Sequence, residues 1–331
     1  MGFLLSRRSI LSIVVSIAML CFFANQSFAG DKIKLRLASS GSATGTRAIA
    51  LTKVFGPAVS EFANFEPHWN SSLFKQGTEL EAIARGNLEM ALASAQELAV
   101  YFPEFSIFTA GYVHRDAAHQ VAVFHDPLMA PFKKKVEKAL KMKLLSVVYL
   151  GRRQVNIRTE QKVMTPADLK GVRLRMPGTD AWQFLGKALG ASPVPMAFSE
   201  VYTGLQTGSV DGQDNPLPTV VDKKLYEVTK QIILTSHLVD LNYLAISTKV
   251  WNNLTPNQQA RVQAAAETSS EYGRLKQLSL EDSLVSFLRD KGLKVYEPNL
   301  DAFRKRVQGM FLKSSFSKSW PKGLIDKINS L

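Results

Sequence analysis

Gly190–Pro216 reads GASPVPMAFSEVYTGLQTGSVDGQDNP. This pattern predicts a strand-like segment over Ser192–Met196 and then a short helix over Phe198–Thr207. Ser199 can cap the start of that helix, and Gly208 suits the left-handed position after its end. A strand followed by a helix is the repeating unit of α/β proteins, so the stretch favours that class for the chain around it.

A polar segment, Asp211–Pro216 (DGQDNP), follows the predicted helix. Its side chains form hydrogen bonds readily but pack poorly, so the residues alone favour a solvated turn. Asn215 precedes a proline, which biases its backbone to an extended form and holds its amide in a limited set of directions. A solvated turn and a ligand-contacting loop both remain open on these residues alone.

The whole stretch closely resembles the central motif of the solute-binding proteins of tripartite ATP-independent periplasmic (TRAP) transporters, of the C4-dicarboxylate-binding type. Members of that family read close to GA-P-PM-F-EVY-ALQ-G-VDGQENP, and nearly every position is matched here without a gap. The resemblance extends over roughly Lys32–Leu331. It implies a receptor outside the cytoplasm that binds a small acid and delivers it to one small and one large membrane subunit.

Length and composition set broad limits. The chain has 331 residues, of which 46% are hydrophobic, and this is enough for two compact domains. Its 41 Lys and Arg against 28 Asp and Glu give a formal charge of +13, which can attract nucleic acid, anionic membranes or small anions. The densest basic run, Phe132–Lys143, fits the solvated face of an amphipathic helix. We therefore expect no nucleic-acid partner, and we expect a monomer.

The N-terminus has the features of an export signal. Arg7 and Arg8 precede the apolar segment Ile10–Phe23, and Ser27–Ala29 fits a small-x-small cleavage site. The apolar segment is too short for a membrane-spanning helix. Residues 1–29 are therefore predicted to be a cleavable signal that places the mature protein in the periplasm. The paired arginines leave general secretory and twin-arginine export both open.

The first predicted strand-to-helix connection is rich in small residues. Lys32–Ala38 alternates charged and apolar residues, as a half-buried strand does, and a helix is predicted over Arg47–Phe62. The loop between them, Ser39–Thr46, has the geometry that points backbone N–H groups at an anion, although an ordinary turn fits equally well. The family resemblance implies that this loop lines the ligand cleft, with Ser42 and Thr44 as contacts. Its composition departs from that of the family.

Ser94 follows a second predicted strand, Leu88–Ala93. Ligands of open α/β sheets bind beyond the carboxyl ends of the strands, which is where Ser94 lies. The resemblance also implies that Ser94 occupies a cleft position.

Two arginines and two further residues carry the predicted anion site. Val172–Met176 alternates, so its two arginines face away from its apolar residues, and periodicity does not choose between them. The resemblance implies that the second, Arg175, clamps the ligand carboxylate, for which a planar guanidinium is well suited. Arg153, in a segment similar to the family's G-RQVT signature, would supply a second positive group. Asn215 would donate its amide to the carboxylate, and Phe198 would pack on the carbon skeleton.

Metal and enzyme motifs are not found in the sequence. His114, His119 and His125 are spaced by five and six residues, which fits neither one helix face nor a zinc pattern. The one cysteine, Cys21, lies inside the predicted signal, and no G-x-S-x-G or H-E-x-x-H motif occurs. We therefore predict a binding protein rather than an enzyme, with no metal and no cofactor.

The alternation of strands and helices predicts an α/β fold with mostly parallel sheets. The resemblance implies a two-lobed, type II-like periplasmic-binding-protein fold, with a sheet flanked by helices in each lobe. It also implies one long helix, about 257–290, that spans both lobes, where the residues alone allow a break near Gly273. Chain crossings near Gly151 and Asp240 would divide the chain into lobe I, 30–151 plus 240–279, and lobe II, 152–239 plus 280–331.

The ligand itself stays open at this level. Two arginines favour a carboxylate, and the candidates are a dicarboxylate, a keto acid or a sugar acid. A periplasmic binding protein that serves a sensor or another transport system is the alternative, and neighbouring genes for the two membrane subunits would decide between them.

Overall fold

Two long antiparallel strands run through the middle of the molecule. Met142–Ile157 pairs with Gln231–Ser247 along nearly its whole length. The structure is a computed structural model; it describes residues 32–331, and Lys34–Leu331 form one compact unit. The predicted export signal, residues 1–29, lies outside the described residues.

Strands of the described chain form one mixed sheet. They are β1 Ile33–Ala38, β2 Ala63–His68, β3 Met90–Ser94, β4 Met142–Ile157, β5 Arg173–Met176, β6 Ser192–Pro195, β7 Gly212–Asn215, β8 Gln231–Ser247 and β9 Lys294–Tyr296.

Helices cover both faces of this sheet. They are α1 Thr46–Ala50, α2 Gly56–Val59, α3 Glu79–Ala84, α4 Ala95–Tyr101, α5 Ala117–His125, α6 Ala130–Leu140, α7 Asp180–Ala188, α8 Val201–Thr207, α9 Leu217–Asp222, α10 Thr248–Asn253, α11 Pro256–Asp290, α12 Leu300–Leu312 and α13 Leu324–Asn329. A π-helical turn, Leu51–Phe55, joins α1 to α2. Short 3-10 turns are Pro103–Thr109, Pro127–Met129, Pro166–Leu169, Phe198–Glu200, Leu225–Glu227 and Phe316–Ser319.

The strand order is β2-β1-β3-β8-β4-β7-β5-β6, with β9 beside β8. Strands β1 to β3 belong to one lobe, lobe I, and β5 to β7 belong to the other, lobe II. The long strands β4 and β8 contribute to both. This arrangement confirms the predicted two-lobed α/β fold. The sheet is mixed because β8 pairs antiparallel with β3, and β4 pairs antiparallel with both β7 and β8.

The passage from one lobe to the other is marked by an irregularity in the β4–β8 pairing. Gly151 pairs with Asp240 beside a shift in register, and Gly151 has a φ of 127°, which favours glycine. Two side chains of α11 hold this point. Gln277 donates to the β4 backbone at 2.6 Å, and Glu281 accepts from it at 2.7 Å, on either side of Gly151.

Helix α11 is a single helix of 35 residues, so the alternative with a break is wrong and the prediction of one long helix is confirmed. At ~1.5 Å per residue it is on the order of 50 Å long. It packs on α1, the π-helical turn and α2 in lobe I, and on α9 in lobe II. Gly273 lies within this helix, where a Cβ added to it would come within 3.3 Å of the Ala50 side chain.

The polar segment Asp211–Pro216 is not a solvated turn. Its residues Gly212–Asn215 form the buried strand β7, which lies between β4 and β5. The expectation of a turn fails because the polar side chains bond to one another and to β4 rather than to water. Gln213, for example, donates to Asn156 at 3.0 Å and accepts from Asn215 at 2.5 Å. A strand of polar residues can be buried when each polar group has a partner.

The basic run Phe132–Lys143 lies mainly in α6, which buries Phe132, Val136 and Leu140 and carries its lysines on the other side. This confirms the amphipathic helix. Across residues 32–331, no helix combines the length and the apolar character that crossing a membrane requires.

Candidate ligand-binding cleft

A cleft lies between the two lobes, next to the point where β4 and β8 pass from one to the other. Its empty space, part of which is open solvent, is about 640 Å³. The structure brings five predicted residues into its lining: Ser94, Arg153, Arg175, Phe198 and Asn215. Its charged lining residues are Arg47, Glu79, Glu97, Arg153, Arg175 and Asp240, and its amide-bearing ones are Gln76, Asn215 and Asn242.

Arg175 is the buried cation of this cleft. It lies in β5, is 1% exposed, and donates from Nε to the backbone oxygen of Met196 at 2.9 Å. Its Nη2 is buried and has no hydrogen-bond partner within the described chain. Arg173, two residues earlier, lies outside the cleft, where it is exposed and paired with Asp211 at 2.7 Å. Periodicity did not distinguish Arg173 from Arg175, but their positions along β5 do, because only Arg175 lines the cleft.

The surroundings of Arg175 make its charge costly in the absence of an anion. Burial, reinforced by the nearby charge of Arg153, lowers the pKa of Arg175 to about 9. The side chain still carries its charge at neutral pH. The ring of Phe198 lies 5.5 Å from the guanidinium carbon and shields it from water. A buried donor without a partner costs free energy, and an anionic ligand would remove that cost.

Arg153 lies in the same cleft but is fully engaged. It donates from Nε and Nη2 to the Asp214 carboxylate at 2.6 and 3.0 Å, and from Nη1 to Asp240 at 2.8 Å. The ring of Trp182 lies 4.4 Å from its guanidinium carbon. These contacts fix the plane of Arg153 and offset its charge, so its environment differs from that of Arg175.

Asp214 connects this arginine to a buried histidine. His237 Nε2 donates to Asp214 at 3.1 Å, and the Thr235 hydroxyl lies 2.8 Å from His237 Nδ1. Burial alone would raise the pKa of Asp214, but Arg153 and His237 outweigh it and hold that pKa below its usual range. The carboxylate is therefore charged at neutral pH, and it fixes β7 to both long strands.

Asn215 reaches the cleft from the end of β7, where it pairs with Gln154 of β4. One of its amide N–H groups donates to Gln213 at 2.5 Å. Gln213 is in turn held by Asn156 of β4. The hydrogen bond to Gln213 therefore holds the amide in one orientation.

Ser94 lines the cleft and also caps a helix that the sequence did not reveal. Its hydroxyl accepts from the Glu97 backbone at 3.1 Å, and the Glu97 carboxylate accepts from the Ser94 backbone at 2.9 Å. This reciprocal pair starts α4.

Ser42 and Thr44 lie apart from the other predicted residues. They line a second pocket, the side chamber, whose empty space is about 890 Å³ including open solvent. The side chamber shares Arg47 and Phe198 with the cleft. Thr44 donates to Asp222 of lobe II, and its own hydroxyl lies 2.8 Å from that of Ser42. The structure thus gives Thr44 a role in holding the lobes together. Contact of Ser42 or Thr44 with a ligand stays a prediction.

Sequence reasoning missed three charged residues of the lobe I side. Arg47 extends from α1 to Asn242 of β8, and burial lowers the pKa of Arg47 to about 10. Glu79 and Glu97 come from the first turns of α3 and α4. A charged residue in the first turn of a helix looks like an ordinary surface residue in sequence. The glycine-rich loop before Arg47 was the one signal that this turn faces a ligand.

The predicted histidines do not form a site. His114 is buried against Phe108, with ring centroids 6.3 Å apart. The ring nitrogens of His119 form hydrogen bonds with the backbone N–H of Arg115 and the backbone oxygen of Ile328. Throughout the part of the chain that the structure describes, no three His, Cys, Asp or Glu residues are grouped so that they could hold a metal ion.

In the described chain two lobes surround a cleft into which a buried guanidinium, that of Arg175, brings an Nη2 without a partner, and these are features of a solute-binding protein that closes on a small anion. The model for "Bacterial extracellular solute-binding protein, family 7" matches residues 42–318, and the chain belongs to this family. Its members are periplasmic receptors of TRAP transporters rather than enzymes. The resemblance seen in the sequence is thereby confirmed.

Individual relatives agree with the family. A crystal structure of a TRAP periplasmic solute-binding protein from Roseobacter denitrificans, with bound 3-deoxy-D-manno-oct-2-ulosonic acid (KDO), is 63% identical, has a TM-score of 0.90, and matches 91% of this chain and 99% of its own. Another from that organism, with bound L-galactonate, is 26% identical, has a TM-score of 0.81, and matches 90% and 98%. The sialic acid-binding periplasmic protein SiaP of Vibrio cholerae is 29% identical over 76% of this chain and 77% of its own.

Proposed function

We propose that this protein is the receptor that binds a sugar acid of the 3-deoxy-2-ulosonic type and delivers it to the membrane subunits of a TRAP transporter, with KDO as the first candidate. The observation that carries the proposal is the buried Nη2 of Arg175, which has no partner in the described chain and lines the cleft. Support for the sugar acid comes from the relative with bound KDO, which is 63% identical.

In the proposed complex the ligand carboxylate binds Arg175, which gains charge-assisted hydrogen bonds at Nη2. The second N–H of Asn215 donates to the same or a neighbouring oxygen. Phe198 packs on the carbon skeleton, next to the guanidinium that it already covers. Arg153 stays clamped by its two carboxylates and adds a second cation beside the ligand.

Closure of the lobes completes this site. The lobes are already in contact at the rim of the cleft, where the Phe198 backbone donates to Gln76 at 2.8 Å and Lys223 donates to Asn70 at 2.6 Å. Closure removes water, which strengthens each charged hydrogen bond inside. We propose that Ser94, Ser42 and Thr44 contribute from lobe I. We also propose the lobe boundaries predicted from the crossings, with lobe I at 30–151 plus 240–279.

We further propose that residues 1–29 export the chain to the periplasm and are cleaved, and that the mature protein returns its ligand unchanged. N-terminal sequencing of the exported protein tests the first point, and a start at Gly30 is expected. Replacement of Arg7 and Arg8 by lysine separates the two export routes, since twin-arginine export requires the pair. Incubation of the ligand with the protein, followed by NMR of the ligand, tests the second point.

A binding panel tests the ligand class. The mature protein is heated with KDO, L-galactonate, sialic acid and succinate in turn, and its unfolding temperature is recorded. A ligand at 1,000 times its Kd stabilises the folded state by ~4 kcal/mol, which is a clear shift. We expect KDO to give the largest shift. A larger shift of the unfolding temperature with succinate would mean that the ligand is a dicarboxylate rather than a sugar acid.

A further inference from the structure

Positive charge is concentrated at the C-terminal end of the chain. Residues 300–331 contain seven Lys and Arg against two Asp, and they form α12, a 3-10 turn and α13. Arg304 pairs with Asp301 at 3.7 Å, and Lys327 pairs with Asp126 at 3.5 Å. Four other lysines of this segment are exposed and, within the described chain, have no acidic partner at ion-pair distance: Lys305, Lys313, Lys318 and Lys322.

Leu312, the last residue of α12, is an exposed apolar residue within this basic segment. Its side chain is 59% exposed. The buried residues of α12 lie on the opposite face of the helix: Phe303, Val307 and Phe311. Lys305 lies seven residues, or about two turns, before Leu312 and therefore on the same face. Gly309 lies between them, and nothing is within 4 Å of a Cβ added to it, so this face is open to solvent.

An apolar pocket lies beside Leu312, with an empty space of about 570 Å³ including open solvent. The large apolar side chains that line it are those of Phe311, Leu312, Trp320 and Ile325. The Trp320 indole N–H donates to the Ser106 hydroxyl at 2.8 Å, which fixes the ring at this position. Lys318 and Lys322 lie two residues before and two residues after Trp320. The segment therefore places lysines close to exposed apolar surface.

The basic residues of α6 have a different setting. Lys134, Lys138 and Lys141 are exposed and follow one another at spacings of four and three residues, so they lie on one side of α6 and its C-cap. The large apolar side chains of α6 are all buried. This side of α6 therefore offers charge alone, whereas residues 300–331 offer charge together with an apolar contact.

An anionic phospholipid bilayer is a partner that matches both properties. It presents negative headgroups to lysines and an apolar layer beneath them to a side chain such as leucine. The phosphates of a nucleic acid would attract the same lysines, but they would gain nothing from an exposed leucine. Charge complementarity and the exposed Leu312 together favour the bilayer.

We propose that Lys305, Leu312, Lys313, Lys318 and Lys322 form a membrane-docking surface, the C-terminal surface, which binds anionic phospholipid headgroups while Leu312 enters the headgroup layer. Each lysine adds an attraction that salt weakens, and the leucine adds the burial of apolar area. Such binding keeps the receptor reversibly at the bilayer that holds the membrane subunits. The inference goes beyond the proposed function and does not depend on the identity of the ligand.

Co-sedimentation of the mature protein with protein-free vesicles tests the charge of this surface. The wild type should bind vesicles of phosphatidylcholine with phosphatidylglycerol at low salt, bind them less at high salt, and leave vesicles of phosphatidylcholine alone unbound. The triple variant Lys313→Gln, Lys318→Gln and Lys322→Gln should bind roughly 100-fold more weakly, since each lysine near such a surface contributes about 5-fold in affinity.

A matched variant on α6 separates a docking surface from general attraction by a basic protein. Lys134→Gln with Lys138→Gln and Lys141→Gln removes the same charge, and it should change vesicle binding far less than the C-terminal triple variant does. Equal losses in the two triple variants would overturn the C-terminal surface. So would a wild type that does not bind the anionic vesicles at low salt.

Leu312→Ser tests the apolar contact. It should weaken binding to the anionic vesicles by about 5- to 10-fold, because the side chain no longer gains free energy on leaving water. Leu275→Ser, which replaces a leucine on α11 that is 55% exposed, is the matched control and should leave vesicle binding unchanged. If Leu312→Ser bound the vesicles as tightly as the wild type, the lysines alone would act and the proposed surface would be wrong. Circular dichroism confirms that each variant is folded, and Leu312→Ser carries the test if a triple variant is not.

Titration of the same variants with KDO in the absence of vesicles separates this inference from the proposed function. None of the substituted residues lines the cleft, so the affinity for KDO should not change. If the wild type binds KDO but not the anionic vesicles, the C-terminal surface is wrong and the receptor stands. If it binds the vesicles but none of the sugar acids, the proposed ligand class fails and the C-terminal surface stands.

Discussion

Arg153 and Arg175 line the same cleft, but acidic partners surround only the first of them in the described chain. Arg153 contacts Asp214 at 2.6 Å and Asp240 at 2.8 Å, whereas Arg175 Nη2 has no partner. The charge of Arg153 also lies close enough to add to the lowering of the Arg175 pKa that burial causes. The protein thus keeps one arginine as part of its scaffold and leaves the other to be completed by an anion.

Replacement of Arg175 by alanine should nearly abolish ligand binding. Loss of one partner of a buried, charged hydrogen bond costs ~2–5 kcal/mol, which is roughly 30- to several-thousand-fold in Kd. Isothermal titration with KDO measures it. The matched control is Arg173→Ala in the same strand, outside the cleft and paired with Asp211. A variant at Arg175 with affinity close to that of Arg173→Ala would refute the carboxylate clamp.

Asp214→Asn should destabilise the ligand-free protein by ~3–5 kcal/mol. The change removes one of the two carboxylates that offset the charge of Arg153, and the loss of a partner from a buried ion pair is costly. Urea unfolding, followed by circular dichroism, gives the free energy. Glu61→Gln removes the exposed partner of Arg261 and should have little effect, since such surface pairs contribute little. If the two variants lost similar amounts of free energy of unfolding, the buried ion pairs of Arg153 would contribute no more to stability than a surface pair does.

Glu79 should make the protein less stable as the pH rises from about 4.5 to about 8. Its carboxyl keeps a proton up to a pKa of about 8 in the folded state, whereas the unfolded chain releases it near the ordinary glutamate pKa of 4.5. Between these values the folded state binds more protons, so the free energy of unfolding falls with rising pH. Glu79→Gln should remove much of that fall. The unfolding temperature of the ligand-free protein measures it between pH 5 and pH 8.

The exposed Glu81→Gln is the control for that titration, and its difference from the wild type should stay constant over the same pH range. The assignment to Glu79 would be rejected if the wild type and Glu79→Gln followed parallel curves.

Gly151→Ala should destabilise the protein by more than ~2 kcal/mol. Gly151 has a φ of 127°, and an added Cβ would lie 2.6 Å from the Pro216 side chain and would also meet Glu281. Gly309 offers the opposite case, because it lies inside α12 with nothing within 4 Å of an added Cβ. Gly309→Ala should stabilise by up to ~1 kcal/mol. Thermal unfolding of both variants decides whether the crossing point needs glycine.

Thr44→Val should weaken the binding of every ligand by the same few-fold factor. Thr44 bonds to Asp222 across the lobes, so its loss weakens closure rather than one ligand contact. A single hydrogen bond contributes ~0.5–1.5 kcal/mol, or up to roughly 10-fold in affinity. Titration with KDO and with pyruvate distinguishes a role in closure from a direct ligand contact. If the loss of affinity differed between the two ligands, Thr44 would contact the ligand directly.

Much of this fold could be predicted because local patterns and the long motif agree. Ser192–Met196, Phe198–Thr207 and the long helix after Thr255 all lie close to where their periodicity places them. The predicted cap at Ser199 is wrong, because this residue lies inside the 3-10 turn that precedes α8 and caps neither element. Elements whose form depends on distant partners were harder. Strand β8 is one strand of 17 residues, because its residues 238–242 pair with β4 across the crossing.

The site shows the same division. Arg175, Asn215 and Phe198 were found because they stand in a motif, and the structure places them in one cleft. Glu79 and Arg47 were missed because a charged residue near a helix start is common on protein surfaces. Both residues line a cleft that residues distant in sequence build, such as Asn242 beside Arg47, and a single sequence carries no local signal of that contact.

A crystal structure of the complex with KDO is the most direct test of the central claim, that Arg175 binds the ligand carboxylate. We predict a carboxylate oxygen within about 3 Å of Arg175 Nη2. A carboxylate bound instead to Arg47 of lobe I, with Arg175 Nη2 still unpaired, would contradict the account.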